Sequence, residues 1–286
     1  MTLYSHCYPC SVSQIARILN QIEMDDEAKV RIQRRMLVIM SEFNPQEVIS
    51  AEMLYHLQRE IERETGLADP LADVKARSTR DALQLLPDLR FKVHRAEDPL
   101  ETALRISLAG NTIDTGLMHS YVLREVVQRA LDEPLSINHI AQFKAALEKA
   151  DWVLMLADNA GETVFDLLLV EALVKRVVYA VKEKAVANDA TLEDARAAGL
   201  HRAAELISSG SAAAGTDLKF ISAEFKKLLF SAPLVIAKGM ANFETLWEVL
   251  PSAFFLLQVK CPVNARILGV EERSFVVAGG EPKGEK

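Results

Sequence analysis

Trp152-Val153-Leu154-Met155-Leu156-Ala157-Asp158-Asn159-Ala160-Gly161-Glu162 is the stretch whose reading decides the fold. A short apolar run bounded by polar and turn residues fits a strand buried on both faces. An apolar helix follows over Thr163–Lys175. A strand feeding a helix in this way is the start of a parallel βαβ unit.

The same alternation continues downstream. Further strands are expected at Arg176–Val181, Leu218–Ile221, Pro233–Ala237, Ala253–Val259 and Ser274–Val277. Helices are expected at Leu192–Ser209, in a segment ending at Phe230, and at Phe243–Val249. Upstream, apolar residues recur at three- and four-residue spacing over Val12–Asn20, Asp26–Met40, Pro45–Thr65, Asp69–Gln84, Pro99–Ala109 and Leu117–Ala130. Asn44-Pro45 and Asp98-Pro99 read as helix starts, a cap followed by proline in the first turn. Asp88–Val93 fits either a loop or a short strand. The expected fold is α/β: a helical N-terminal region over 1–148 packed on a Rossmann-like, mostly parallel sheet with flanking helices over 149–278. The polar tail 279–286 is expected to be disordered.

The 286 residues are half apolar and 26% charged, enough for a sizeable core. The formal charge is -7, and the densest basic cluster, Lys29–Arg35, follows Glu23, Asp25, Asp26 and Glu27. With no long basic run and 6% aromatics, nucleic acid is excluded as the main partner. Phe165–Val174 and Ser252–Val259 are too short to span a bilayer, and the first residues do not read as a secretory signal. A cytoplasmic protein without membrane contact is expected. Three cysteines are too few, and odd in number, for a disulfide framework.

Ligands of open parallel sheets bind at the carboxyl ends of strands. Asp158 and Asn159 follow the first run and offer hard oxygen donors for Mg²⁺ or Mn²⁺, or simply cap the next helix. Gly161 permits close backbone approach, and a helix beginning near Glu162–Thr163 aims its amides at the same point. Asn188-Asp189 follows the second run and is either a helix cap or a second carboxylate beside Asp158. Lys238-Gly239 followed by Asn242 resembles a phosphate cradle, with a plain surface lysine as the alternative. Gly110 reads as a left-handed helix cap, which leaves Asn111 and Asp114 to face a cleft. Neither GxxxxGK[ST] nor GxGxxG occurs, which counts against a nicotinamide-dependent oxidoreductase.

Asp158–Glu162, Asn188-Asp189, Lys238–Leu246 and Gly110–Asp114 together resemble the metal-dependent damage-control phosphatases, a family once catalogued as a domain of unknown function. Cys7-x-x-Cys10, Asp69–Leu83 and Lys260–Val263 look like its prokaryotic CxxC-bearing branch, and the resemblance runs from Cys7 to Val277. Thr79 departs from the pattern, which has Asn there.

The resemblance implies a divalent metal (magnesium, manganese, cobalt or nickel) held by Asp158, Asn159 and Asp189. It also implies hydrolysis of small phosphomonoesters such as sugar phosphates or damaged phosphometabolites. Glu162, Lys238, Asn111, Asp114 and Asn242 would contact substrate and phosphate. Water is the expected nucleophile; Asp158 is the alternative, although the DxD arrangement of aspartyl-phosphate enzymes is missing. A rival of a different class is a non-catalytic sugar-phosphate or nucleotide binding protein. Cys7, Cys10 and Cys261 either pack as thiols or, with His6, form a zinc site. A thioredoxin-type redox pair would follow a strand, and none precedes Cys7.

Overall fold

The structure is a computed structural model that describes residues 2–112 and 120–279. Asp114, His119 and 280–286 lie outside the described residues. Helices α1 (Cys7–Leu19), α2 (Asp26–Glu42) and α3 (Ser50–Thr65) form a small bundle with its own core, including Ile15, Leu19, Met36, Met53 and Leu57. Helices α4 (Ala72–Arg95), α5 (Pro99–Gly110), α6 (Ser120–Asp132) and α7 (Ile140–Lys149) follow, with the short strand β1 (Ile137–Asn138) before α7. Asp98 caps α5 as expected, its carboxylate accepting from Glu101 N at 3.0 Å.

The remaining strands are β2 (Trp152–Leu156), β3 (Arg176–Val181), β4 (Glu205–Ser208), β5 (Val235–Lys238), β6 (Phe254–Gln258) and β7 (Phe275–Gly279). The intervening helices are α8 (Thr163–Leu173), α9 (Leu192–Ala197), α10 (Ala223–Ser231), α11 (Gly239–Leu246) and α12 (Pro262–Leu268). The described strands form one seven-stranded sheet in the order β1-β7-β6-β5-β2-β3-β4. All neighbours are parallel except β6 and β7. The fold is α/β with a mostly parallel sheet flanked by helices.

One apolar core runs from Ala82 in α4 through α5–α7 and on to Val277 in β7, so it crosses the expected 148/149 boundary. Both sheet faces are covered, which explains why β2, β3 and β6 read as unbroken apolar runs. Among the described residues no helix is long and apolar enough to cross a membrane.

Several elements differ from the sequence reading. Asp88–Val93 is helical: α4 continues through Pro87 because Leu85, Leu86, Leu89 and Val93 keep one buried stripe. Asn44-Pro45 starts a turn rather than α3, with Asn44 Oδ1 accepting from Gln46 N at 3.2 Å. Leu218–Ile221 is not a strand; the third long-range partner is β4, inside the segment expected to be helical. Gly110 is the last residue of α5, without positive φ. Its missing side chain matters for packing, since a Cβ there would meet Phe165 at 3.0 Å and Glu162 at 3.1 Å. Gly279, assigned to the tail, closes β7 and is buried.

Candidate active site

In the sheet β2 lies between β3 and β5, where the strand order turns back on itself. A topological switch point of this kind opens a crevice at the strand ends. The loops after β2 and β3 are stitched together there. Ala190 N donates to Asp158 O at 2.8 Å, Ala160 N donates to Asn188 O at 2.9 Å, and Asn159 and Asp189 form an antiparallel bridge. The stitching brings Asp158, Asn159 and Asp189 to one wall of a shared cavity. Helix capping does not explain them. Thr191 and Asp194 form the capping box of α9, and the residue before α8 is Glu162.

Asp158 is seated on α11. Gly239, the first residue of that helix, has φ +79°, and a Cβ built on it would lie 2.0 Å from Asp158 Oδ2. Only glycine fits both the conformation and the approach. The start of a helix also favours negative charge. Asp158 Oδ2 further accepts from Asn111 Nδ2 at 2.7 Å and from Asn159 Nδ2 at 2.9 Å. Asp189 Oδ2 lies 3.5 Å from the Lys182 ammonium.

Behind this wall runs a buried polar chain. Glu162 Oε2 accepts from Asn111 and Asn159, both at 3.2 Å, while Oε1 meets Lys238 Nζ at 2.5 Å. Lys238 also meets Asp166 Oδ1 at 2.5 Å and donates to Ser107 O at 3.2 Å. Asp166 accepts from Ser107 Oγ at 2.6 Å and from Tyr179 Oη at 2.7 Å. Burial alone would lower the Lys238 pKa, but Asp166 and Glu162 outweigh it and hold it above the usual lysine value. Burial raises Glu162 against the pull of Lys238. Tyr179 is pushed up by burial and by Asp166.

This arrangement revises the expected phosphate contacts. Lys238 and Glu162 are both completely enclosed, satisfy one another, and do not line the cavity. Asn242 is occupied structurally: it donates to Ala157 O at 3.1 Å and Lys238 O at 2.7 Å and accepts from Thr216 Oγ1 at 2.7 Å. Asn111 reaches the cavity wall, yet its Nδ2 serves two carboxylates and its Oδ1 accepts from Gln258 N at 3.1 Å. Lys75, in α4, is buried and pairs with Asp69 at 2.7 Å and Asp194 at 2.9 Å. Thr79 is buried in α4 away from the cavity.

The cavity holds about 390 Å³ between the sheet and the α1–α3 bundle. Its acidic walls are Asp158, Asp189 and Glu244, and Arg17 and Lys260 bring positive charge. Cys7, Cys10 and Cys261 line it too. Burial raises the thiol pKa of Cys7 and of Cys10. Among the described residues no group of three or more His, Cys, Asp or Glu side chains stands in a metal-holding arrangement. The strand-end set is different in kind: two carboxylates and an amide. With Asn159 Nδ2 donating to two carboxylates, its oxygen is the atom left for a cation. Hard oxygen donors of this number suit an ion that keeps several waters, such as Mg²⁺.

Sequence reasoning missed Asp166, Ser107 and Tyr179 behind the site and Arg17, Ser50, Glu244 and Lys260 as cavity-lining residues, with Asn264 bonded to Glu244. Asp166 carried a usable signal, because it is an acidic residue set among Val164, Phe165, Leu167 and Leu168 in the most apolar part of its helix.

The fold and cavity define an α/β protein with a cavity at the topological switch point of its sheet. Residues 3–276 match the family described as damage-control phosphatase ARMT1-like domain, and the chain belongs to that family. A damage-control phosphatase of Archaeoglobus fulgidus is 33% identical over 279 residues, spanning 94% of this chain and 96% of the relative. The damage-control phosphatase PH1575 of Pyrococcus horikoshii is 31% identical over 289 residues, spanning 96% and 97%. The crystal structure of that Pyrococcus protein, described as a DUF89 family protein, superposes with TM-score 0.91 over 98% of this chain and all of the other.

Proposed function

We propose that the protein is a divalent-metal-dependent phosphatase of the cytoplasm that hydrolyses small phosphomonoesters, sugar phosphates or damaged phosphometabolites. The observation that carries this reading is the meeting of Asp158, Asn159 and Asp189 on one cavity wall in a chain of the damage-control phosphatase family. These three residues would hold the cation. When bound, a divalent cation supplies charge neutralisation to the phosphoryl oxygens. The chain's residues do the rest. Arg17 and Lys260, on the cavity wall, attract the phosphate, a task the enclosed Lys238 cannot perform. Asn111 fixes the Asp158 carboxylate from behind. Asp158 Oδ2 accepts two amide hydrogen bonds and packs on Gly239, which makes it a poor nucleophile. Water attacks the phosphorus in line instead; the ester P–O bond opposite it breaks, and the alcohol leaves with a proton that the water supplies.

A panel of phosphate esters tested with Mg²⁺, Mn²⁺, Co²⁺ or Ni²⁺ checks the reading. Phosphate release that is abolished by chelator and by Asp158→Ala or Asp189→Ala, in variants that keep their melting temperature, is the expected result. Ligand binding without phosphate release under any of these metals would favour a non-catalytic binding protein.

A further inference from the structure

Cys7, Cys10 and Cys261 line the cavity and have no part in the machinery described so far. They reach it from two sides. Cys7 and Cys10 lie at the start of α1, in the small bundle, and Cys261 stands immediately before α12, in the segment that follows β6. Residues 10 and 261 are almost a whole chain apart in sequence and share one cavity in the fold.

All three thiols are free, with Cys10 exposed and the other two half-buried. Their sulfurs are not equivalent. Cys7 Sγ accepts a hydrogen bond from Tyr4 N at 3.4 Å, within its own turn. Cys261 pushes the Cys10 thiol up more than Cys7 does, although Cys7 is one turn away on the same helix. Electrostatic influence falls with distance, so Cys261 faces Cys10 at least as closely as Cys7 does. Residues three apart on a helix have Cβ atoms about 5–6 Å apart, and a disulfide needs about 3.5–4.5 Å. A shift of about 1–2 Å in the seating of the bundle closes that gap.

We propose that Cys10 and Cys261 are a site of reversible oxidation by low-molecular-weight disulfides, at which they join into a covalent staple from the bundle to the sheet and restrict entry to the cavity. The Cys10 thiolate, exposed and with Arg17 favouring its charge, attacks one sulfur of the small disulfide and displaces a thiolate. The Cys261 thiolate then attacks Cys10 Sγ and displaces the second. The two cysteines lose two electrons and two protons, and the small disulfide is reduced to two thiols that take up those protons. In a reducing compartment such a bond is transient and reports the redox state.

The test exposes the full-length reduced protein to oxidised glutathione under mildly alkaline, non-denaturing conditions, followed by peptide mapping without reduction. Cys7 and Cys10 share the tryptic peptide 1–17 and Cys261 lies in 261–266, so a link between peptides is distinct in mass from a Cys7–Cys10 link. The expected result is a link from 1–17 to 261–266 in wild type and in Cys7→Ser, absent in Cys10→Ser and Cys261→Ser. Oxidised wild type should melt several degrees higher, and dithiothreitol should remove both the link and the shift. Glutathione adducts without a link between the peptides, or a link confined to 1–17, would overturn the proposal. Cys7, left free by the staple, reports entry: N-ethylmaleimide should modify it severalfold more slowly in the oxidised than in the reduced protein. Equal or faster modification would overturn the restriction of entry. Phosphate release by the metal-loaded protein should fall severalfold on oxidation of wild type and stay unchanged in Cys261→Ser. A linked protein with slowed Cys7 modification that releases no phosphate even when reduced would support the proposal while the phosphatase reading fails.

Discussion

Lys238 Nζ lies 2.5 Å from Asp166 Oδ1, and neither side chain is exposed. With Glu162 as the second carboxylate at 2.5 Å, one lysine carries two buried acids. Removing it leaves both without a counter-charge. Breaking a buried pair in this way costs about 3–5 kcal/mol. Lys238→Met should therefore lower unfolding stability in urea by that order. The double variant Lys238→Met with Asp166→Asn should lose less than the sum of the two single losses. Additive losses would show that the residues do not act as a unit.

Gly239→Ala places a methyl group where the Asp158 carboxylate sits, at a φ that alanine resists. The backbone conformation alone costs roughly 1–2 kcal/mol. The carboxylate must also move, and misplacement of a catalytic group by about 1 Å can cost 10²-fold in rate. The expected outcome is phosphate release reduced by about that factor, with a modest loss of melting temperature. Wild-type kinetics in this variant would refute the seating of Asp158 on the helix start.

Cys7 and Cys10 should react slowly. Partial desolvation raises both thiols above the ordinary cysteine value, although Cys10 keeps an exposed side, so the thiolate fraction at neutral pH is smaller than for a fully solvated cysteine. Alkylation by iodoacetamide, followed by mass spectrometry, should be slower than for a free thiol near neutrality. Its rate should keep rising with pH past the point where a model thiol levels off. Rapid modification at neutral pH would contradict the raised thiols.

Glu244 sets a pH dependence of stability. Burial raises its pKa above 4.5, against the hydrogen bonds from Ser50 and Asn264. A carboxyl raised in the folded state contributes stability below its unfolded value and loses that contribution as pH climbs through the folded value. Glu244→Gln carries no such term. Its stability relative to wild type should therefore improve as pH rises above the ordinary glutamate value of about 4.3, as read by urea unfolding. A constant difference above that value would show that the carboxyl titrates normally.

Much of the sheet was legible because β2, β3 and β6 are covered on both faces and so read as apolar runs. The loops after β2 and β3 were legible as a site because a sheet of this kind places its ligands at strand ends. The role of Lys238 was not legible. The sequence shows a lysine after a strand, but only the packing of α5 and α8 around it reveals two carboxylates and a carbonyl already in place. β4 was missed because its pattern is half-exposed and follows a helix without a strong break. The helical course of Asp88–Val93 was hidden by Pro87, which tertiary packing overrides. The cavity lining from α1 and α3 depends on how the small bundle is laid over the sheet, a long-range fact with no local signal.

β1 stands at the edge of the sheet, and its neighbour is β7, nearly the last described segment of the chain. Ser136 N and His139 N donate to Phe275 O and Val277 O, both at 3.0 Å. During synthesis residues 137–138 leave the ribosome long before 275–279 exist. The place between them and β6 is kept for a strand that has yet to be made. A nascent chain halted before Phe275 would carry an open β6 edge, a template for pairing with other chains. Completion of the sheet is thus tied to the synthesis of residues 275–279, and β1 waits for that strand before it has a partner.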